Sequence, residues 1–259
     1  MKFIKIKSIK KLNKMGKVVD LECSPHHNFI TNGIVVHNCS FCGNISKKTR
    51  FEPIKKVRNQ ITDLYRLGFN SIYFLDDIFT LKKDRMKEIL KGINMPFRVT
   101  TRADLIDEEK LNILKNNGCE IISLGIESGN DEILKKNRKG MTTYQNYEAV
   151  RLAGERGINS KGFFIIGLPG ETEQTALDTI EFSLRLKEVG LKYADFYFLS
   201  PFPGTPIYKN PESFDIEIIE KDYTKYLQAG KTAHCYINTK ELKASRIEEL
   251  VKEAKEIWK

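Results

Sequence analysis

Apolar and polar positions follow different patterns before and after residue 38. In the first part, "FIKIKSI" (3–9) and "KVVDLEC" (17–23) alternate apolar and polar residues, as short strands do, with turn residues between them. "NFITNGIVVHN" (28–38) repeats strand, turn and strand around Asn32 and Gly33. Residues 1–38 are therefore predicted to form a small all-β element, too short to enclose a core by itself.

From residue 52 onward, predicted strands and helices alternate. In order, the elements are a helix through Ile54, Val57, Ile61 and Leu64, strand "NSIYFLDD", helix 84–92, strand "FRVTTR", helix 108–117, strand "EIISLGIES", helix 144–156, strand "KGFFIIGLPG", a helix with Leu177, Ile180 and Leu184 on one face, strand "ADFYFLSPFPGTP" and a charged final helix. These repeats predict an α/β fold with a parallel sheet, open or barrel-like. The near-continuous apolar strands suit a sheet buried on both faces.

Polar, glycine and proline residues gather where the predicted strands end. They are Asp76 and Asp77, Thr100 and Arg102, Glu127 and Ser128, residues 167–170 and residues 200–206. In parallel α/β folds the carboxyl ends of the strands form the functional edge. We therefore expect the chemistry of this protein at that edge.

Composition narrows the class of protein. The 259 residues are 41% hydrophobic and 30% charged, which is ordinary for a globular chain. No apolar run reaches the length of a signal peptide core or a membrane span, which predicts a cytoplasmic protein without membrane attachment. Of the five cysteines only Cys39 and Cys42 form a close pair, which indicates metal or redox chemistry rather than a disulfide framework.

The net charge of +9 is unevenly distributed. Residues 1–38 carry seven lysines against Asp20 and Glu22, which is +5, and the remaining residues carry +4. Two interpretations stay open for the first segment: a solvated lysine-rich edge, or a surface that docks onto an acidic partner. No arginine-rich or aromatic-interleaved patch is present, which favours a small-molecule substrate over nucleic acid, with tRNA modification left open.

Residues 39–208 resemble the radical S-adenosylmethionine (radical SAM) enzymes, nearest the branch that often carries a cobalamin-binding domain. The matching pieces are "CSFC", "YFLDDIFT", "RADLID", "LGIESGNDEILKKNRKGMT", "GFFIIGLPGET" and "SPFPGTPIY". The resemblance implies a partial (βα)6 TIM-like barrel over residues 39–210 and a helical extension over 211–259. It implies a [4Fe–4S] cluster held by C-x3-C-x2-C, and S-adenosylmethionine as the source of a 5′-deoxyadenosyl radical.

The resemblance also implies roles for individual residues. Cys39 and Cys42 correspond to the second and third cluster ligands. The cofactor-binding residues would be Phe41 beside the cluster and adenine, Asp76 and Asp77 at the methionyl amino group, Glu127 and Ser128 at the ribose or carboxylate, and Gly167, Pro169 and Gly170 at the adenine.

The chain departs from this family pattern in two places. The first cluster cysteine should stand four residues before Cys39, where Val35 is found, and the first barrel strand is missing. Two thiolates do not hold such a cluster. Cys23, Cys119 and Cys235 lack the required spacing, and we expect them to be buried free thiols. The missing N-terminal portion would bring the third thiol, and the nearest branch favours cobalamin as a further cofactor carried there.

The segment "VVDLECSPHHNFITNGIVVHNC" resembles the C-terminal blocks of a self-splicing intein. The resemblance implies that the Cys39 thiol attacks a thioester at an upstream junction. The side chain of Asn38 would then cyclise and cut its bond to Cys39. His37 and His27 would polarise the carbonyl and move protons, and Asp20 would orient or deprotonate the thiol. His26 is interpreted as a solvated neighbour.

The blocks expected at the start of an intein are absent, so residues 1–38 resemble the C-terminal half of a split intein. The implied partner is a separate chain with the N-terminal intein half and the N-terminal part of the enzyme. Two alternatives stay open: a fragment of a continuous intein-containing gene, and a degenerate barrel that acts as a non-catalytic binding module.

Overall fold

The computed structural model describes residues 39–41, 51–226 and 234–259. The all-β element predicted over residues 1–38 lies outside them. Several residues considered in the sequence analysis also lie outside the described residues: Asp20, Cys23, His27, Val35, His37, Asn38 and Cys42.

A parallel sheet of five strands forms the centre of the molecule. Its strands pair in chain order. They are β1 (Ile72–Tyr73), β2 (Phe97–Thr101), β3 (Cys119–Glu127), β4 (Asn159–Ile166) and β5 (Leu191–Phe198). This confirms the predicted α/β class and the parallel sheet. In the described part of the chain, no strand pairs with the outer side of β1.

Eight α-helices are present in the described residues. They are α1 (Ile54–Arg66), α2 (Lys83–Leu90), α3 (Glu108–Asn116), α4 (Asp131–Lys136), α5 (Thr143–Glu155), α6 (Glu173–Glu188), α7 (Pro206–Lys209) and α8 (Ala244–Ile257). Parallel strands that pair in chain order through right-handed crossovers place the connecting helices on one face of the sheet. That arrangement is typical of a barrel rather than of a doubly wound sheet.

Local chemistry explains where several helices begin. The Thr142 and Thr172 side chains each close a capping box at the start of α5 and α6. Asp107 and Asn130 accept hydrogen bonds from the first backbone N–H groups of α3 and α4. At the end of α3, Gly118 has a φ of 92°, the left-handed conformation in which glycine commonly ends a helix.

One face of the sheet is buried against the helices and the other is more exposed. Alternate strand residues such as Phe97, Val99, Leu124, Phe164 and Phe196 are at most 2% exposed and belong to one hydrophobic core. Most of the residues between them are half-buried or exposed. The expectation of a sheet buried on both faces is therefore wrong for the described residues, because the helices cover only one face.

Two further sequence expectations need correction. On α6, Ile180 is buried as predicted, but Leu177 is 39% exposed and Leu184 is half-buried; the buried stripe runs through Ala176, Thr179, Ile180 and Ser183. The region 211–259, predicted as a helical extension, also contains an antiparallel pair, β6 (Ile216–Ile218) and β7 (Ile237–Thr239). Residues of β6, β7 and α8 share the core of the sheet, so this region completes the fold.

No helix among the described residues combines the length and the apolar character needed to cross a membrane.

Candidate active site

The carboxyl ends of the five strands meet at one edge, as parallel pairing requires. Asp76 follows β1, Arg102 follows β2, Glu127 ends β3, Gly167 follows β4 and Ser200 follows β5. The edge predicted from the sequence to be functional is therefore a single continuous region of the structure.

The segment 39–41 docks on this region through Ser40, which is 2% exposed. The Ser40 hydroxyl donates to Asn137 Oδ1 at 2.8 Å, and the Ser40 N–H donates to the Asn137 carbonyl at 3.2 Å. The Ile207 N–H at the start of α7 donates to the Ser40 carbonyl at 3.4 Å. Phe41 packs against the hydrophobic core. These contacts place Cys39 at the carboxyl edge, where the resemblance expects a cluster ligand.

Asn137 connects this segment to the turn after β4. It caps the end of α4, is 1% exposed, and donates from Nδ2 to the carbonyls of Ile133 at 2.9 Å and Pro169 at 3.1 Å. Sequence reasoning did not single out Asn137. Its position in "KKNRKG" is no different from an ordinary helix end, so no sequence signal identifies it.

Arg102 supplies positive charge beside Cys39. Its guanidinium donates to both carboxylate oxygens of Asp104 at 2.9 and 2.8 Å, and to the Lys139 carbonyl at 3.3 Å. Burial by itself lowers the pKa of Arg102, but the bonded Asp104 carboxylate and the negative charges of Cys39 and Glu127 outweigh it and raise the pKa. A thiolate at Cys39 is correspondingly stabilised by this cation.

Glu127 forms a buried ion pair with Lys139, whose Nζ lies 2.7 Å from Oε1; the two side chains are 12% and 8% exposed. Glu127 has a φ of 68°, a left-handed conformation that costs energy for a non-glycine residue and is often found at functional sites. Gly125 leaves room for the Glu127 carboxylate, because a Cβ at position 125 would lie 2.6 Å from Oε1 of Glu127. Glu127 is thus at the predicted edge, and Lys139 is a partner that sequence reasoning missed.

In the glycine turn after β4, φ is 91° at Gly167 and 82° at Gly170, left-handed conformations that glycine adopts readily. The turn closes on Glu171, which is fully buried and accepts a hydrogen bond from the Gly167 N–H. Burial raises the pKa of Glu171 to about 8, against the opposing effect of backbone donors at Gly167 and Leu168. The burial of Glu171 therefore favours the neutral form of its carboxyl.

The two aspartates after β1 differ in environment. Asp76 is 6% exposed, whereas Asp77 is exposed at the surface. Partial desolvation nevertheless raises the pKa of the Asp77 carboxyl. Burial lowers the pKa of Arg85, although the charge of Asp76 acts in the opposite direction. Both aspartates lie at the expected strand end.

The Ser128 side chain is held by neighbouring polar groups of α6 and of the loop before α4. Its side chain is fully buried, with the hydroxyl 3.1 Å from Thr179 Oγ1 on α6, and it accepts the Asn130 N–H at 3.2 Å. In this structure Ser128 holds the start of α4 against α6.

The remaining described cysteines are unsuited to ligation. Cys119 begins β3 at the opposite edge, and Cys235 is 1% exposed. Burial raises the pKa of each thiol to about 12. Both are free, so the expectation of buried free thiols is confirmed for these two. Among the described residues, no group of three His, Cys, Asp or Glu side chains could hold a metal ion.

The donor set therefore fits an iron–sulfur cluster only in part. Cys39 lies at the correct edge beside Arg102, and Cys42 is three residues further along the chain. Because such clusters need three or four thiolates, the residues of this chain fit the group only together with a third thiol.

Residues 36–183, more than half of the chain, match the family model of the radical SAM superfamily. The chain therefore belongs to the radical SAM superfamily. Homologues in this family bind a [4Fe–4S] cluster and S-adenosylmethionine, and cobalamin-binding enzymes are among the structural neighbours.

Three relatives illustrate the similarity. An uncharacterized methyltransferase of Pyrococcus horikoshii is 33% identical over 181 residues, which are 66% of this chain and 39% of that protein. Bacteriochlorophyllide d C-12(1)-methyltransferase of Chlorobaculum tepidum is 28% identical over 233 residues, 85% of this chain and 49% of that protein. The structure of the radical SAM methyltransferase TsrM of Kitasatospora setae, with cobalamin and a [4Fe–4S] cluster, matches with a TM-score of 0.63 at 21% identity, covering 74% of this chain and 42% of that one.

The TsrM comparison, at this identity, shows the fold alone. In each of these three comparisons, this chain covers less than half of the length of the related protein.

Proposed function

We propose that residues 39–259 are the radical SAM part of a methyltransferase that acts on a small molecule. The observation that carries this proposal is the docking of Cys39 at the carboxyl edge, between Arg102 and the turn after β4. The Pyrococcus, Chlorobaculum and Kitasatospora proteins are all named as methyltransferases, which supports methyl transfer as the reaction.

In this proposal the thiolates of Cys39 and Cys42 hold the cluster with a third thiol from sequence joined ahead of residue 39. When bound, the cluster supplies the electron that cleaves S-adenosylmethionine. Arg102 provides positive charge near the cluster ligand Cys39, and Asp76 and Asp77 accept the methionyl amino group. Glu127, held by Lys139, orients the ribose or carboxylate, and the turn at Gly167, Pro169 and Gly170 lets the backbone approach the adenine. Cobalamin, carried on a preceding domain, would be the methyl carrier.

The test is to supply the third thiol directly. A chain in which residues 1–38 are replaced by a short segment with cysteine four positions before Cys39 is compared with a matched chain that has serine there. After anaerobic reconstitution, we expect about four irons per chain and 5′-deoxyadenosine release in the cysteine chain only. Cys42→Ala should abolish both, and Cys119→Ala should retain both.

Equal iron content in the cysteine and serine chains would contradict this ligand assignment. Absence of iron from both would favour the non-catalytic binding module.

A second proposed function concerns residues 1–38, as the C-terminal half of an intein that splices residues 39–259 to a partner chain. Its support is the ordered set of Asp20, His27, His37, Asn38 and Cys39, which ends at a cysteine of an unrelated motif. The family-like sequence, which begins at residue 36, starts within three residues of the proposed junction. The +5 charge of the segment would steer it onto an acidic partner half.

Splicing predicts a change in mass on co-expression with the upstream partner chain. Mass spectrometry should show a joined product that lacks residues 1–38. Asn38→Ala should block release of the segment, since its side chain is the group that cyclises, whereas His26→Ala should leave the product unchanged. If no joined product without residues 1–38 forms on co-expression, the splicing proposal is wrong. The adjoining upstream DNA distinguishes a natural split from a broken continuous gene.

A further inference from the structure

A cavity of about 540 Å³, here called the amino-edge cavity, lies where β4 and β5 begin. Its walls come from the ends of α5 and α6, the starts of the two strands and the last residues of the chain. Pockets that bind small molecules usually measure about 300–1,000 Å³. The amino-edge cavity therefore has the size of a ligand site, and it lies at the opposite ends of the strands from the candidate active site.

Three glycines line the amino-edge cavity, and two of them are closely packed. Gly154 on α5 contacts Gly190 before β5, because a Cβ at position 190 would lie 3.0 Å from the Gly154 Cα. A Cβ at position 154 would lie 2.7 Å from the Val189 carbonyl oxygen. Gly157, the third, has a φ of 65°, which glycine adopts readily. This wall is therefore closely packed backbone, which holds the shape of the cavity.

Trp258 provides an aromatic wall of the cavity. Its ring is half-buried and packs against the hydrophobic core. The ring Nε1 donates to Ser183 Oγ on α6 at 2.9 Å, and Lys187 Nζ lies 4.9 Å from the ring centre. The orientation of the ring is thus fixed before any ligand arrives. A fixed and partly accessible aromatic ring is suited to contact a ring of a ligand.

The cavity carries an excess of positive charge. Lys187, Lys192 and Lys259 line it, and none of the described lining residues is Asp or Glu. Within the described part of the chain, no carboxylate forms an ion pair with Lys187 or Lys192. Lys115 nearby differs, because its Nζ donates to the Gly157 carbonyl at 2.7 Å. At Lys259, the last of the 259 residues, the terminal carboxylate offsets the ammonium, so the net charge comes from Lys187 and Lys192.

The residue types indicate which ligand fits. Lysine ammonium groups bind phosphate as compact point charges. Two of them at one cavity match a doubly charged phosphate better than a singly charged carboxylate. The Trp258 ring matches a planar ring in the same ligand, and the exposed Asn159 amide can both donate to and accept from a polar ring edge. A phosphate joined to a polar aromatic ring is the chemistry of a nucleotide.

We propose that the amino-edge cavity is a second ligand site, which binds a nucleotide. Lys187 and Lys192 pair with the phosphate, the Trp258 ring contacts the base, and Asn159 hydrogen-bonds to the polar edge of the base. This site goes beyond the proposed function and does not depend on it. Because the candidate cofactor residues lie at the carboxyl edge, nucleotide binding here requires neither the cluster nor S-adenosylmethionine.

Trp258 makes the test specific to this cavity, because it is the only tryptophan of the chain. Adenosine 5′-monophosphate is titrated into the full 259-residue chain without iron, and binding is followed by tryptophan fluorescence. Adenosine keeps the rings and removes the charge, and inorganic phosphate keeps the charge and removes the rings. We expect both to bind about tenfold or more weakly than the nucleotide, through the loss of charge-assisted contacts or of the aromatic contact.

Variants assign the binding to the cavity. Lys192→Gln should lower the affinity for adenosine 5′-monophosphate toward that of adenosine, and Lys192→Arg should restore most of it because the charge returns. Lys55→Gln, which removes an exposed charge on α1, is the matched control and should bind as the wild type does. Circular dichroism verifies that each variant is folded.

Three results would overturn the proposal: no saturable change in fluorescence with the nucleotide, unchanged affinity in folded Lys192→Gln, or inorganic phosphate binding as tightly as the nucleotide. The outcome is separable from that of the iron test. Nucleotide binding that depends on Lys192 stands even where iron fails to load. Iron loading without such binding leaves the radical SAM proposal intact and removes this one.

Discussion

Glu171 has a carboxyl group that the fold closes off from water. It is fully buried beneath the glycine turn, and in the described structure its Oε1 has no hydrogen-bond partner. The backbone donors at Gly167 and Leu168 act on this carboxyl but do not offset the burial. Burial therefore favours the neutral form of this carboxyl, against the backbone donors that favour the ionised form.

This burial predicts a pH dependence of stability. The pKa of Glu171 is about 8 in the folded chain against an ordinary value of 4.5. Between these pH values the folded chain keeps a proton that the unfolded chain has lost. The free energy of unfolding therefore falls as the pH rises through this window, by at most about 1.4 kcal/mol per pH unit from this group.

Glu171→Gln should flatten that slope in urea unfolding measured from pH 5 to pH 8. The exposed Glu120→Gln variant should keep the wild-type slope. An unchanged slope in Glu171→Gln would mean that the carboxyl is already ionised in the folded state.

At the scale of elements, Asn137 joins three segments that are distant in sequence. It caps α4, holds the Pro169 carbonyl after β4, and accepts from Ser40, which is 97 residues away. Asn117 offers a matched comparison at the end of α3. It makes the same kind of bond to its own helix, with Nδ2 donating to the Ile113 carbonyl at 2.8 Å. Asn137 differs in its two further bonds, to the Pro169 carbonyl and to Ser40 in the Cys39 segment.

Asn137→Ala should therefore cost more stability than Asn117→Ala, by about 1–3 kcal/mol, because it leaves buried polar groups unpaired. It should also release the segment, so that iodoacetamide alkylates Cys39 faster, as followed by peptide mass spectrometry. Equal alkylation rates at Cys39 in the two variants would show that Ser40 and Asn137 do not hold the segment.

At the scale of the whole molecule, strand order determines what each face can do. The helices on one side form the core with the sheet, and the candidate cofactor residues lie at the carboxyl edge. The face of the sheet opposite the helices is left for other contacts. The C-terminal region belongs to the same unit, since Trp258 Nε1 donates to Ser183 Oγ of α6 at 2.9 Å.

Much of the fold could be predicted from the sequence, because the buried side of a helix or strand requires apolar residues at regular spacing. The apolar repeat through Ile54, Val57 and Ile61 predicted α1, and the strand ends correctly located Asp76 and Glu127. Short elements were missed: α4 has only six residues, and β6 and β7 have three each. Segments this short are stabilised by tertiary contacts and leave little periodic signal.

The sequence by itself determined the α/β class, the parallel sheet, the functional edge and the resemblance to the radical SAM family. The tertiary structure alone decided which side chains meet there. The pairs Glu127 with Lys139 and Ser40 with Asn137 join different segments of the chain, and the charge of Cys39 acts on Arg102. The buried face of α6 and the face of the sheet that the helices cover were likewise decided by packing. The physical reason is that periodicity records burial along one element, whereas pairing depends on how connections bring separate elements together.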